Sequence, residues 1–133
     1  MTHEAEVWSV LGNIESSPPG VQAGGLMLEL FKLYVGSLDS KSAEDTVTEV
    51  VGHLFESFTL LKGEGFFQGT REPVYFVRIA TDDVEKILAA ASEIRDRLKQ
   101  DEVGVEYGGV YYRCTLSDRG DALRRRFGER RSE

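Results

Sequence analysis

A single cysteine, Cys114, stands among 133 residues. No disulfide can close within the chain, so its thiol content says nothing for an oxidising compartment. A lone cysteine in a strand pattern reads most simply as a small buried apolar residue. Histidine is nearly as scarce: His3 and His53 are the only two. With one thiol and two imidazoles there is no zinc set and no Cys–His pair with an evident orienting partner. The G-x-S-x-G turn of a serine nucleophile is missing too. No catalytic residue and no metal ligand is therefore expected, and the sequence names no cofactor.

Long apolar runs are absent; none approaches the ~20 residues that a membrane-spanning helix needs. The first residues lack a basic stretch followed by an apolar core, so no secretory signal is expected and the cytoplasm is the expected compartment. Positive charge is also short, with 16 Lys and Arg against 23 Asp and Glu for a net −7. Residues 117–133 hold six Arg against four acidic groups, a net +2, which leaves −9 on the rest. Such an acidic body lacks the cations that displace counterions from a phosphate backbone, so nucleic acid is not an expected partner. The run Arg124 to Arg126, with no interleaved aromatics, reads as solvated.

What is present is enough for one domain with its own core. The chain is most informative from Phe58 to Ala80, FTLLKGEGFFQGTREPVYFVRIA. Val74 to Val77 and Ile79 are β-branched or aromatic, as strands prefer, and Pro73 sits at the strand entry. The preceding arm carries Gly63, Gly65 and Gly69, where a bulge, a bend or a close backbone approach would need side chains gone. Phe66 and Phe67 are neighbours, so they point to opposite faces and one ring is left for a partner or a ligand.

On either side stand helical patterns. Val47, Val50, Val51, Leu54, Phe55 and Phe58 recur at three and four residues, predicting a helix over Ser42 to Phe58, with Ser42 and Asp45 as a capping box. His53 lies off its apolar face and is expected exposed. Val84, Ile87, Leu88, Ala91, Ile94 and Leu98 predict a second helix over Asp82 to Gln100, with Asp82 and Glu85 at its start, so the adjacent carboxylates Asp82 and Asp83 need not be a catalytic pair. Leu26 to Gly36 reads as a first strand with Phe31, Leu33 and Val35 on one face and Leu28, Leu30, Lys32 and Tyr34 on the other. Val103, Val105 and Tyr107 alternate, Gly108-Gly109 suits a two-residue hairpin turn, and Val110, Tyr112 and Cys114 alternate back. Residues 1–25 form an appendage and linker: Val7, Val10, Leu11 and Ile14 at helical spacing, then SSPPG. Residues 26–116 form the body. Residues 117–133 are a charged, Arg-rich tail in which Ala122, Leu123 and Phe127 seat one helical turn or two.

The expected fold class is α+β: a ferredoxin-like βαββαβ sandwich with an additional C-terminal strand, both helices on one face of an antiparallel sheet. Its open face would carry Leu28, Leu30 and Tyr34, and a patch of that kind calls for cover. A homo-oligomer is expected.

The run Lys62-Gly63-x-Gly65-x-x-x-Gly69, together with the passage from Val77 through Thr81-Asp82-Asp83-Val84, resembles the PII-like signalling proteins over about Leu28 to Val105. The resemblance implies the ferredoxin-like fold, a trimer, a small effector bound between subunits and a loop after the glycines that touches target proteins. Phe67 stands where that family has glutamine, with Gln68 one position late. Its Gly-rich phosphate loop is replaced by Lys99-Gln100-Asp101-Glu102, which removes the main reason to expect ATP. The loop Thr70-Arg71-Glu72 is very short.

The leading functional reading is a small oligomeric regulatory or ligand-binding module. Its cleft would lie near Lys62, Gly63, Gly65, Phe67, Gln68 and Arg71, where glycines admit a ligand to the backbone and the two cations hold an anion. The plainer reading of the same residues is a bulged strand with its charges in water. One alternative is an enzyme of the dimeric α+β barrel type, with Tyr34, Phe76, Tyr107 or Tyr112 lining a pocket between sheet and helices. Another is a structural subunit that meets a protein partner through the Trp8 region or the Arg-rich tail.

Overall fold

The computed structural model describes residues 28–36 and 39–132. The segment of the N-terminal appendage, with its Trp8 and Leu11, lies outside the described residues. In chain order the elements are β1 (Glu29–Gly36), α1 (Ser40–Leu54), β2 (Thr59–Phe67), β3 (Thr70–Thr81), α2 (Val84–Leu98), β4 (Glu102–Tyr107), β5 (Val110–Thr115) and α3 (Asp121–Ser132). The five strands form one sheet in the order β2-β3-β1-β4-β5, with every neighbouring pair antiparallel. The class is α+β.

Alternation sets the two faces of this sheet. Phe31, Leu33 and Val35 of β1 stand beside Tyr75, Val77 and Ile79 of β3 and beside Val105 and Tyr107 of β4. All are buried, and together with Val47, Val50 and Val51 of α1 and Ile87, Leu88, Ala91 and Ile94 of α2 they form the core. The helical stripes read from the sequence are thus the surfaces laid on this face. His53 is exposed.

The helix ends differ from the expected ones. Asp39, not Ser42, caps α1: its carboxylate accepts from the Ser42 N–H at 3.1 Å. The helix stops at Leu54, and Phe55 is extended, with φ −131° and ψ 137°. Phe55 and Phe58 keep their contact with the core from the connection to β2 rather than from a helical turn. Likewise Asp83, one residue later than Asp82, caps α2 through the Lys86 N–H at 3.1 Å. Thr81 Oγ1 in turn accepts from the Asp83 N–H. In both places several cap-forming residues stand in a row, and the one whose carboxylate meets a free N–H three residues on takes the position.

Where an Arg-rich tail with one or two helical turns is expected, the chain forms α3, a helix of 12 residues. Leu123 and Phe127, one turn apart, are buried in the core. Phe127 lies 5.9 Å from the Phe31 ring and 5.8 Å from that of Tyr107. Arg130 stacks over Tyr107 at 5.2 Å and pairs with Glu29 at 3.4 Å. The Tyr107 hydroxyl donates to the same carboxylate at 2.7 Å. Two apolar side chains suffice to seat a helix whose remaining surface is charged. Among the described residues, no helix is long and apolar enough to cross a membrane.

Candidate binding surface

The second face of the sheet carries no helix among the described residues. Leu61, Phe76, Tyr34, Gly104 and Arg113 follow one another across it from edge to edge. In the next row Arg78, Lys32, Glu106 and Tyr111 do the same. Leu30, Val74 and Ala80 complete its apolar part. Three rings meet at its centre: Phe76 lies edge-on to Tyr34 at 5.1 Å, and Tyr111 does so from the other side at 5.3 Å. Lys32 Nζ sits 5.6 Å from the Tyr34 ring centre and 5.9 Å from that of Phe76. Its aliphatic stem thereby covers apolar surface while its charge stays at the rim.

The polar groups here are mostly engaged with one another. The Tyr34 hydroxyl donates to Glu106 at 2.5 Å. Burial, and then the Glu106 carboxylate, push the Tyr34 phenol up to about 12. Arg78 is buried. The Arg113 guanidinium bonds Glu102 at the margin.

Low relief is the second property of this face, and the glycines create it. β2 pairs with β3 in unbroken register from Thr59 to Phe67, so the expected bulge is absent. A Cβ on Gly63 would stand 2.7 Å from Cε2 of Phe76, and one on Gly65 would stand 2.6 Å from Cγ2 of Val74. At Gly104 it would overlap the phenol of Tyr111. Side chains of the neighbouring strand therefore lie down over the glycines instead of standing up from the sheet. The close backbone approach that glycine allows is taken by the protein's own side chains.

This distribution separates the residues singled out in the sequence. Gly63, Gly65 and Phe67 belong to the open face, whereas Lys62 and Arg71 belong to the helix side. Lys62 pairs with Glu44 of α1 at 2.6 Å and stands over the Tyr75 ring at 5.8 Å; its bond to Glu44 raises its ammonium above the usual lysine range. Arg71 lies over Phe66 at 5.4 Å and 3.3 Å from Glu64. A cleft of about 290 Å³ brings Lys62, Gly63 and Arg71 together with Glu64 and Glu72. Gln68 is not part of it. With Gly69 it makes the two-residue turn of the hairpin, at φ 50° and 81°, so Thr70 to Glu72, expected as a loop, are already strand. Phe66 and Phe67 are both exposed, at 67% and 69%.

The rings proposed for an enzyme pocket do not share one. Tyr34 and Phe76 stand on the open face, while Tyr107 and Tyr112 pack on the core side. Among the described residues, no group of three or more His, Cys, Asp or Glu is placed to hold a metal. Cys114 is buried, and desolvation followed by the nearby Asp118 pushes its thiol up to about 11, away from thiolate chemistry. Glu106, Tyr111 and Gly104 went unmarked in the sequence. The alternation of β4 and β5 contained them, but their meeting with Tyr34 depends on which strands are neighbours.

No protein-family model matches this chain, and no curated protein does. Among solved structures, a phage SAM lyase in its apo state is similar over 65% of this chain and 88% of its own, with a TM-score of 0.44 and 17% identity.

Proposed function

We propose that this protein is a small homo-oligomeric binding module of ferredoxin-like fold, PII-like in plan, whose copies meet across the open face of the sheet. The element order β-α-β-β-α-β, the strand order β2-β3-β1-β4 and the single-sided core support the fold. The observation that carries the oligomer is the Tyr34–Phe76–Tyr111 cluster lying flat on its glycine floor. A patch that is apolar at the centre, charged at the rim and low in relief has the anatomy of a protein interface. At ~25 cal/mol per Å², a few hundred Å² of it contributes several kcal/mol toward association before the entropic cost of joining two bodies.

A small anionic ligand belongs to the same proposal, in the cleft on the β2–β3 hairpin. There Lys62 and Arg71 are its cationic groups, each already facing a carboxylate, Glu44 and Glu64. Glu44 and Glu64 offset part of that positive charge, while the remaining N–H donors of Lys62 and Arg71 can still meet an anion, and a second subunit would add more.

Light scattering at micromolar concentration tests the assembly. The wild-type chain is expected above monomer mass, and Phe76→Lys, which plants a charge in the patch centre, is expected to shift it toward monomer while leaving the far-ultraviolet spectrum unchanged. A wild-type monomer at tens of micromolar would overturn the proposal. Thermal-shift screening with nucleotides and small carboxylates tests the cleft, and no shift with any of them removes the ligand.

A further inference from the structure

Among the described residues, the two edges of the sheet are β2 and β5. Ordinarily an exposed edge is blunted, by brevity, proline, a bulge or charged side chains. β5 is short, at six residues. β2 runs nine residues without a bulge or a proline. Among the described residues its outer backbone makes no hydrogen bond outside the strand.

From these features we infer that β2 is a self-recognition edge: two copies of this chain join their β2 strands antiparallel about a two-fold axis at Gly63, making one continuous sheet. This interface is separate from the open face and does not rest on it. Register selects this alignment. Gly63 is the midpoint of Thr59–Phe67, so pairing about it overlaps all nine residues of both strands. Residues directly opposite in such a pair share a face. In this register Lys62 stands opposite Glu64 of the other copy, twice, and Leu60 opposite Phe66, twice.

Neighbouring registers lose this match. One step back sets Lys62 opposite itself; one step on sets Glu64 opposite itself. Full overlap, charge complementarity and cover for an exposed ring thus coincide at a single alignment. Lys62 and Glu64 are 61% and 57% exposed, within reach of a second copy while keeping their bonds to Glu44 and Arg71. The glycine pair at the axis removes side chains where the two backbones approach. Main-chain bonds along the ladder supply affinity, and the side chains select the alignment.

Charge reversal tests this, read by analytical ultracentrifugation. Lys62→Glu alone, or Glu64→Lys alone, sets like charges opposite at both pairs and is expected to weaken self-association about tenfold. An equimolar mixture of the two variants is expected to associate again as a heterodimer, because Glu at 62 then faces Lys at 64. The double variant restores homodimers. Since the mixture contains the same two proteins, recovery there separates a lost interface from a damaged fold. Single variants that associate like wild type, or a mixture that shows no recovery, would overturn the inference. An assembly that responds to Phe76→Lys but ignores every charge reversal refutes edge pairing and leaves the open-face reading standing. The opposite pattern refutes the open-face reading and supports the edge.

Discussion

The two faces of this sheet are built from the same five strands and solve different problems. On the helix side, β1 and β3 present Phe31, Leu33, Val35, Tyr75, Val77 and Ile79, each at most 1% exposed. On the other side the same strands present Leu30, Lys32, Tyr34, Val74 and Phe76, all half-buried. The first set is mainly aliphatic, with its size matched by side chains from α1 and α2. The second mixes aromatic, aliphatic and charged side chains, and its Phe76 and Val74 lie across glycines. A core is stabilised by volume filled, so it tolerates no polar intruder. The half-wet face holds its polar groups differently: Glu106 accepts from Tyr34, Arg113 bonds Glu102, and Lys32 lies over the rings of Tyr34 and Phe76.

The largest expected difference between the faces lies in their response to a charge. Val51 is fully buried in the middle of the α1 stripe. Val51→Asp places an unpaired carboxylate there, at a cost of several kcal/mol, comparable with the ~5–15 kcal/mol that holds a typical domain together. Loss of the cooperative melt by circular dichroism is the expected result. A parent-like transition would show that α1 is seated differently. On the open face, Phe76→Lys is expected to leave that melt in place.

A smaller effect is expected where the open face is stacked most tightly. Gly104→Ala pushes the Tyr111 ring off the backbone and away from Tyr34. Because Tyr111 is 50% exposed on the edge strand, it can swing outward. The loss is then about 1 kcal/mol, at the low end for overpacking. The near-ultraviolet tyrosine signal should change while the far-ultraviolet spectrum holds. An unchanged tyrosine signal would mean that the ring does not rest on Gly104.

The glycines also show how far a sequence can be read. The apolar stripes of α1 and α2 and the alternation of β1 were legible because each is a local period, visible in one segment. That Gly63 and Gly65 removed side chains for a close approach was legible too. Which group approached was not, because Phe76 and Val74 reach them only through the register of β2 on β3. Gly63 and Lys62 of one short motif face opposite ways as adjacent strand residues, although both border the same cleft. Helix α3 was the reverse case. Leu123 and Phe127 announced a turn, but six arginines from 117 onward masked a full helix that buries those two side chains against the core.

The finest test of the comparison is alkaline titration of Tyr34 against Tyr34→Phe. In the folded chain burial and Glu106 hold the phenol protonated up to about 12, whereas in the unfolded chain it ionises near its ordinary value of about 10. Below the unfolded value both states keep the proton and the contribution of Tyr34 is fully present. As pH rises from there, the unfolded chain releases a proton that the folded chain retains, so stability falls until the folded phenol also ionises. Tyr107 and Tyr111 are raised as well, both chiefly by desolvation, so the wild type alone does not isolate one ring. The difference between wild type and Tyr34→Phe does. Denaturant midpoints of both, followed from about pH 9 to about pH 12, should run parallel at first and then converge or cross as the wild type loses ground. Curves that stay parallel throughout would mean that Tyr34 titrates normally, and that the open face is wet at its centre rather than closed over Glu106.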